Sequence, residues 1–332
     1  MSRAQLALEA AWYRGDWWLW LLRPLEALFR LVTAIRRAAY KHGVFSSWRA
    51  PVPVVVVGNI TVGGTGKTPI VVALVEHLQQ AGLRPGVVSR GYGASNTAFP
   101  HTVTAASTAA HCGDEPLLTY QRTGCPCVVS PNRPAAVRQL LDEFAVDLIL
   151  SDDGLQHYGL QRDMEIAVLD AARGVGNGFC LPAGPLREPV SRLLRVHHVL
   201  KRGSDDLREG VRYRAQALVN VASGQQRALD SNEDPVVVSA VAGIGQPAQF
   251  FGTLLAAGYV VQEHVFGDHH AYTADDFSDL QDAFVIMTEK DAVKCKGLVG
   301  DNTWYLKIDA ELPRAVIEAV TALAQPQQQE TQ

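Results

Sequence analysis

Residues 54–69 read VVVVGNITVGGTGKTP, and this stretch decides the fold class. Four consecutive valines predict a short strand that is buried on both faces. A glycine-rich turn follows, and the apolar residues between positions 70 and 78 then recur at helical spacing. A strand, a glycine loop and a helix in this order form the context in which backbone amides bind phosphate. The sequence therefore predicts a phosphate-binding loop that belongs to an α/β domain.

Individual residues of this loop have separate predicted tasks. Lys67 is expected to reach the β- and γ-phosphates of ATP, and the Thr68 hydroxyl to bind Mg²⁺. The helix that follows adds the positive end of its dipole. Thr61 stands where the standard pattern has its first glycine, and the alternative is an ordinary glycine-rich turn. The predicted ATP-binding residues are Thr61, Val62, Gly63, Gly64, Thr65, Gly66, Lys67 and Thr68.

A second strand ends in acidic residues. Residues 146–153 read VDLILSDD, an apolar run that stops at Asp152 and Asp153. The carboxyl ends of parallel strands open onto one crevice, so these carboxylates should face the glycine loop. We predict that they hold Mg²⁺, directly or through water. The alternative is a plain strand-end turn, since Gly154 follows.

Two further polar segments carry candidate catalytic groups. Asp114 and Glu115 lie together in GDEP, on a loop before a predicted helix. They could cap that helix, supply the base for a hydroxyl nucleophile, or add a metal ligand. His269 and His270 lie in FGDHHAYT at 266–273, where a histidine could orient a catalytic aspartate or bind a metal.

The N-terminal segment, residues 1–50, is basic and rich in tryptophan. It contains eight Lys or Arg residues and three acidic ones, whereas the whole chain has a net charge of −4. Aromatic residues beside arginines are typical of a helix lying in a membrane interface, and we predict this role for Trp12, Trp17, Trp18 and Trp20. The alternative is that the segment packs against its own protein. Its longest uninterrupted apolar run, 17–22, is shorter than the roughly 20 residues that a spanning helix needs.

Composition and periodicity indicate the partner class, the compartment and the domain organisation. The acidic net charge argues against a nucleic-acid partner, and an odd number of cysteines, five, suggests a reducing compartment. Strands alternating with helices predict a parallel sheet covered by helices. After the N-terminal segment we expect a phosphate-loop α/β domain at 51–222, a second, smaller α/β domain at 223–325 that closes the active-site cleft, and a disordered tail at 326–332.

Seven short segments match one known family in order. They read VGNITVGGTGKTP at 57–69, SRGYG at 89–93, GDEP at 113–116, SDDGLQH at 151–157, PAGPLREP at 182–189, FGDHHAY at 266–272 and TEKDAVK at 288–294. On these segments the chain resembles the tetraacyldisaccharide 4′-kinase family over nearly its whole length. The resemblance implies a P-loop NTPase-like parallel sheet with a second α/β domain joined by a β-ribbon.

The resemblance also implies an activity and a location. Members transfer the γ-phosphate of ATP, with Mg²⁺, to the 4′-hydroxyl of an acylated glucosamine disaccharide 1-phosphate, and the product is lipid IVA in lipid A biosynthesis. They act at the cytoplasmic face of the bacterial inner membrane, whose lipid surface would be a partner of the N-terminal segment. The alternative is a soluble P-loop switch, but the Asn-Lys-x-Asp base-reading motif of such GTPases is missing from the sequence.

Residue roles follow from the same resemblance. It implies that Asp114 is the catalytic base and that a histidine of the Asp-His motif pairs with it, His269 being preferred to His270. It further implies metal ligation by Thr68, Asp152, Asp153 and Glu115. Substrate contacts are expected from Arg90, Tyr92, Arg187 and Glu188.

Overall fold

One sheet runs through the described part of the molecule. The structure, a computed structural model, describes residues 3–95, 98–229 and 236–325, so the predicted tail at 326–332 lies outside the described residues. The strands are β1 (Val54–Gly58), β2 (Pro85–Ser89), β3 (His101–Thr102), β4 (Cys127–Val129), β5 (Leu148–Asp152), β6 (Met164–Asp170), β7 (His198–Arg202), β8 (Gly210–Asn220), β9 (Gln226–Ala228), β10 (Val237–Ala242), β11 (Val260–Val265), β12 (Val285–Thr288) and β13 (Thr303–Glu311).

Helices cover this sheet and lead into it from the N-terminal segment. The α-helices are α1 (Arg3–Arg14), α2 (Arg23–Lys41), α3 (Lys67–Gln80), α4 (Ala109–Cys112), α5 (Asp114–Thr123), α6 (Arg133–Glu143), α7 (Pro247–Ala256), α8 (Glu289–Cys295) and α9 (Arg314–Ala324). Short 3₁₀ helices lie at Trp17–Leu22, Val190–Arg195 and Ala274–Leu280.

The valine run forms the centre of the first half of the sheet. β1 pairs in parallel with β5 on one side and β6 on the other. Val55 and Val57 point into the apolar core beneath α3, while Val54 and Val56 point into the core beneath α6. Burial on both faces is what a continuous apolar run predicts for a central parallel strand, and the predicted α/β class is confirmed.

A long antiparallel pair joins the two halves. The strand order is β11-β10-β12-β13-β8-β7-β6-β1-β5-β2-β4-β3, with β9 added on β8. β8 pairs with β13 along most of its length, whereas it meets β7 at only two residue pairs. The pair of β8 and β13 is therefore the predicted ribbon between two parallel sub-sheets.

Helix α9 does not follow the predicted domain boundaries. It lies within the segment predicted for the second domain, yet Val316, Val320 and Ala324 pack into the first core with α3. The reason is geometric, because β13 runs back along the ribbon and delivers the chain to the first half of the sheet. The boundary at position 222 itself stays a prediction.

The N-terminal segment lies on the first domain and presents part of its apolar surface outward. Trp12 is buried and donates its indole N–H to the Pro182 carbonyl at 3.0 Å, so the prediction that it contacts lipid is wrong. Glu26, on α2, is also buried. Its carboxylate accepts the Cys180 amide at 3.0 Å, and this hydrogen bond fixes α2 to the loop that carries Cys180. Trp17 and Trp20 remain 77% and 64% exposed. None of the helices in the described ranges has the length and apolarity that crossing a bilayer requires.

A buried arginine, Arg122, links helices from the two halves of the sheet. Nη1 of Arg122, on α5, lies 2.9 and 3.0 Å from the two carboxylate oxygens of Glu289, on α8. The same guanidinium contacts Glu76 on α3 at 3.4 Å and Asp309 on β13. The Arg122 side chain is 10% exposed and that of Glu289 is 11% exposed. The interaction therefore links a helix from each half of the sheet in a place from which water is largely excluded.

Breaking this network should destabilise the fold. Arg122→Met should lower the free energy of unfolding by roughly 3 kcal/mol, because it leaves the Glu289 carboxylate buried without its partner. Urea denaturation measures the effect, and Arg314→Met is the matched control. Arg314 pairs with Glu318 at 2.6 Å on the surface, where a pair contributes little. Equal midpoints for the two variants would contradict a structural role for Arg122.

Candidate active site

The phosphate loop is shaped by glycines and held by neighbouring backbone. β1 ends at Gly58 and α3 begins at Lys67. Gly63 and Gly66 have φ values of 91° and 71°, a left-handed conformation that side chains disfavour. The loop is also fixed from outside, since the Val62 amide donates to the Pro185 carbonyl at 2.8 Å. The predicted order of strand, glycine loop and helix is therefore present.

Lys67 lies at the centre of a polar cluster. Its ammonium is 3.2 Å from Oδ1 of Asn59 and 3.3 Å from Oδ1 of Asp153. Arg187 completes the cluster with bonds of 2.9 and 3.1 Å to the two Asp153 oxygens. The structure thus brings together three distant segments: the glycine loop, the end of β5 and the PLREP loop. Two cations at the mouth of an amide-lined loop suit a polyphosphate.

The two aspartates at the end of β5 have different surroundings. Asp152 pairs with Val57 in the sheet and is buried, and its Oδ1 has no hydrogen-bond partner among the described residues. Burial, together with the Glu115 charge, raises the pKa of Asp152 to about 7. Asp153 has a φ of 48° and turns toward the cations. Burial raises its pKa, but Lys67 and Arg187 outweigh that effect and hold the pKa well below its usual range.

Asp114 and His269 meet across the cleft. Nδ1 of His269 lies 2.9 Å from Oδ2 and 3.1 Å from Oδ1 of Asp114. An ionised carboxylate accepts only, so the imidazole Nδ1–H is the donor. His270 instead lies 3.2 Å from Asp276, beside the start of the 3₁₀ helix that follows. The contact predicted for His269 is therefore present, and the alternative of His270 is not supported by the geometry.

The charges around this pair stabilise its ionised form. Burial raises the pKa of Asp114, but the His269 hydrogen bond and the Lys290 and Lys294 charges outweigh it, and the pKa is lowered. Burial lowers the pKa of His269, but the hydrogen bond to Asp114 outweighs it, and the pKa is raised. Both shifts favour a carboxylate that accepts a hydrogen bond from a protonated imidazole.

The prediction that Asp114 and Glu115 occupy a loop is wrong. They form the first turn of α5, directly after Gly113, whose φ is 88°. A Cβ on Gly113 would lie 2.6 Å from the Tyr92 carbonyl, so the turn needs glycine to approach the SRGYG segment. Glu115 is 3.2 Å from the Lys290 ammonium. Acidic residues in a first helical turn interact favourably with the helix dipole.

The phosphate loop touches the turn that follows β10 in the other half of the sheet. The Gln246 side chain donates to the Gly64 carbonyl at 3.2 Å. A Cβ on Gly245 would lie 3.5 Å from the Gly64 amide nitrogen and 3.7 Å from Oδ2 of Asp268. Asp268 precedes His269, so the glycine loop and the Asp114–His269 pair border the same cleft. The Gly-Ile-Gly turn after β10 is thus a close-approach turn against the phosphate loop.

The predicted substrate residues fall into two groups. The Tyr92 ring lies 5.0 Å from the His269 ring and is 64% exposed, and Arg90 on the same loop is also exposed. Arg187 and Glu188 lie on the other side, next to α2. Glu188 is buried and accepts from Tyr158 at 2.6 Å, so its observed contacts are internal.

Two cavities flank the polar cluster. One, of about 520 Å³, separates α2 from the PLREP loop, and its lining includes Arg30, Arg36, Arg37 and Arg187. The other, of about 670 Å³, lies between Tyr92, Asp114 and His269. The arginine-lined cavity suits an anionic ligand, and it opens beside the exposed apolar residues of α2, Leu28 and Leu31 among them.

Sequence reasoning missed several residues of the cleft. Asn59 and Gln246 contact Lys67 and the glycine loop, and Lys290 contacts Glu115. Asn59 and Lys290 lie in two of the matching segments and closely follow strands, where side chains border the crevice, whereas Gln246 had neither signal. Within the described ranges, no three or more His, Cys, Asp and Glu side chains are grouped as a metal site. A divalent ion bound in the cleft would therefore need ligands in addition to His, Cys, Asp and Glu side chains.

Comparison with known proteins gives one consistent result. A family model described as tetraacyldisaccharide-1-P 4′-kinase matches residues 18–325. A tetraacyldisaccharide 4′-kinase of Pseudomonas fluorescens strain Pf0-1 is 53% identical over 306 residues, which is 91% of each chain. The protein of that name from Azotobacter vinelandii is 52% identical over 313 residues, covering 93% of this chain and 94% of the relative.

A solved structure agrees with these relatives. LpxK from Aquifex aeolicus, in a crystal structure described as an "apo" form in complex with ATP, superposes with a TM-score of 0.74. The alignment covers 92% of this chain and 98% of the other, at 26% sequence identity. The similarity therefore extends over both halves of the sheet and includes the cleft between them.

Proposed function

This chain belongs to the tetraacyldisaccharide-1-phosphate 4′-kinase family, and we propose that its reaction takes place in the cleft between Lys67 and Asp114. The activity is the ATP-dependent phosphorylation of the 4′-hydroxyl of an acylated glucosamine disaccharide 1-phosphate, which gives lipid IVA in lipid A biosynthesis. This assignment is favoured over a nucleotide-driven switch, since the relatives are named as kinases.

One observation supports the location. The Lys67–Asp153–Arg187 cluster and the Asp114–His269 pair face each other across a cleft that Gly245 and Asp268 close at the glycine loop. The first group supplies fixed positive charge for phosphates, and the second supplies a buried carboxylate for a hydroxyl proton. Phosphoryl transfer uses positive charge on one side of the transferred group and a proton acceptor on the other.

The residues divide the reaction between them. The loop amides and Lys67 bind the β- and γ-phosphates and offset charge that spreads over the γ-phosphoryl oxygens in the transition state. Asp114 accepts the proton of the 4′-hydroxyl as its oxygen attacks phosphorus and the bond to the ADP oxygen breaks. His269 donates its Nδ1–H to Asp114 and holds the carboxylate in place. Arg187 and Asp153 keep Lys67 oriented toward the loop.

The donor set fits a Mg²⁺ ion in part. Asp152 offers a buried carboxylate oxygen without a partner among the described residues, and Thr68 offers a hydroxyl at the start of α3. We propose that these two residues bind the ion. The carboxylates of Asp153 and Glu115 already pair with Arg187 and Lys290, so they would balance charge near the ion. When bound there, Mg²⁺ would neutralise negative charge that develops on the phosphates.

We propose that the acceptor contacts the protein at two places, α2 and the exposed SRGYG loop. The 1-phosphate suits the cavity lined by the α2 arginines and Arg187, while Arg90 and Tyr92 border the opposite cavity beside His269. The acyl chains would remain near the exposed apolar face of α2. This arrangement supports a peripheral site of action on the cytoplasmic face of the inner membrane.

A phosphorylation assay tests the function. Purified protein with ATP, Mg²⁺ and the disaccharide 1-phosphate should give a product that carries one more phosphate, detected by mass spectrometry. ATP consumption should depend on the lipid acceptor. ATP hydrolysis at the same rate without lipid, and no phosphorylated lipid, would favour the switch instead.

Membrane association should depend on two exposed tryptophans. Trp17→Ser combined with Trp20→Ser should lower binding to anionic phospholipid vesicles by roughly tenfold or more, because two indole side chains no longer enter the interface. Cosedimentation measures the bound fraction. Substitution is preferable to deletion of the helix, since Trp12 and Glu26 are buried in the fold.

The matched control removes exposed apolar groups elsewhere. Leu207→Ser with Leu255→Ser changes side chains that are 87% and 55% exposed and lie outside the N-terminal segment. This control should bind vesicles like the parent protein. Equal loss in both double variants would show that general surface apolarity, and not the segment at 17–20, accounts for binding.

A further inference from the structure

Lys290 is a residue of the cleft whose contacts the proposed mechanism does not use. It lies in the first turn of α8, in the segment TEKDAVK. That turn is firmly anchored, because the Thr288 hydroxyl accepts the Asp291 amide at 3.1 Å. Buried Asp291 in turn accepts the Gly243 amide at 2.8 Å and pairs with Lys294 at 2.8 Å. The base of the Lys290 side chain is therefore fixed relative to the second sub-sheet.

The Lys290 ammonium lies among three carboxylates from both sides of the cleft. It is 3.2 Å from Glu115 and 3.9 Å from Asp114, both in the first turn of α5. It is 3.5 Å from Asp268, in the loop that carries His269. The side chain is 18% exposed, so solvent screens these contacts only in part. A single cation thus ties the first-domain acidic turn to the second-domain histidine loop.

The histidine turn has a backbone conformation that needs support, and the acidic turn makes a close backbone contact. His269 has a φ of 59°, which a residue with a Cβ adopts only at a cost of order 1 kcal/mol or more. Gly113, just before Asp114, has a φ of 88°, which glycine adopts without strain, and it packs against the Tyr92 carbonyl. The left-handed conformation of His269 persists where surrounding contacts over-determine it. Lys290 contacts Asp268 and Glu115, which are the sequence neighbours of His269 and Asp114. It is therefore placed to hold both turns.

We propose that Lys290 is a positioning residue for phosphoryl transfer, which ties the Asp114–Glu115 turn to the Asp268–His269 turn and so sets the geometry of the Asp114–His269 pair. The proposal rests on the function assigned above, because it concerns that pair. Lys290 acts through the two turns and does not itself contact a reacting atom. The Arg122–Glu289 pair reinforces this arrangement, since it fixes the neighbouring residue of α8 to the other end of α5.

The test separates positioning from ligand binding. Lys290→Met should lower kcat by roughly 10- to 100-fold while KM for ATP and for the lipid acceptor changes by less than about threefold, because a misplaced base slows the chemical step and not binding. Lys290→Arg, which keeps the charge, should recover a large part of kcat. A rise in KM with kcat unchanged would overturn the proposal and show a ligand-binding lysine.

A second background tests whether Lys290 acts through Asp114. In Asp114→Asn protein, Lys290→Met should cause little further loss of kcat, because the group that it positions is already gone. Full multiplication of the two losses would overturn the proposal. If Asp114→Asn alone kept normal turnover, the proposed mechanism would fail first, independently of Lys290.

Controls address folding and general charge effects. Lys201→Met removes a lysine paired with Glu209 at 2.6 Å, with both side chains near half exposed, and should leave kcat unchanged. Urea midpoints of each variant report the fold. Where Lys290→Met is unstable, Lys290→Gln, which also removes the charge, carries the test in the same backgrounds. Near-parental kcat for folded Lys290→Met would overturn the proposal directly.

Discussion

Lys67→Ala should lower kcat by roughly 100-fold or more, equivalent to about 2.7 kcal/mol of transition-state stabilisation. The ammonium of Lys67 lies at the start of α3, and its neighbours Asn59 and Asp153 hold it toward the glycine loop. Its charge is placed where the β- and γ-phosphates would lie. Steady-state turnover of ATP with lipid acceptor measures the change.

Two controls make this result specific. Lys201→Ala removes a surface lysine with its own ion pair and should leave turnover unchanged. The fold of Lys67→Ala should survive, since Arg187 still compensates the Asp153 carboxylate through two bonds. Near-normal kcat in folded Lys67→Ala protein would contradict the assignment of the phosphate loop.

The phosphate loop could be predicted from sequence because its physical signals are local. A valine run, left-handed glycines and a helix start lie within sixteen residues, and each is set by backbone sterics and burial. The acidic end of β5 followed from sheet topology, since parallel strands end at one edge. For Asp114 and His269, which lie 155 positions apart, the residues alone left several roles open. Their pairing was implied only by resemblance to a known family.

Other features depended on tertiary packing that no short pattern encodes. Trp12 lies in the same basic, tryptophan-rich segment as Trp17, yet it is buried, and a carbonyl of the PAGPLREP segment accepts its indole N–H. The packing of α9 on the first core depends on the direction of β13. Lys290 could not be distinguished from a surface lysine until the fold placed three carboxylates around it. Such placements are decided by which distant segments meet.

Loss of the Asp114–His269 pair should have an effect as large as loss of Lys67. Asp114→Ala should lower kcat by roughly 100- to 10,000-fold, the range expected for removal of a general base. His269→Ala should also lower kcat, while ATP affinity changes little in both, because neither residue belongs to the phosphate loop. The double variant should be hardly slower than the slower single variant if the two act as one unit.

The pH dependence gives this pair a second, independent test. The hydrogen bond from His269 lowers the pKa of Asp114, so removing the imidazole should raise that pKa. A base must be deprotonated to act, and the acid limb of kcat against pH should therefore move to higher pH in His269→Ala. His270→Ala should leave the limb in place, because His270 bonds Asp276 and not Asp114. An unmoved limb in His269→Ala, or fully multiplicative losses in the double variant, would mean that the two residues act separately. The kinase activity would then need a base held by other charges, and Lys290 and Lys294, each 3.9 Å from Asp114, are the cations placed to hold it.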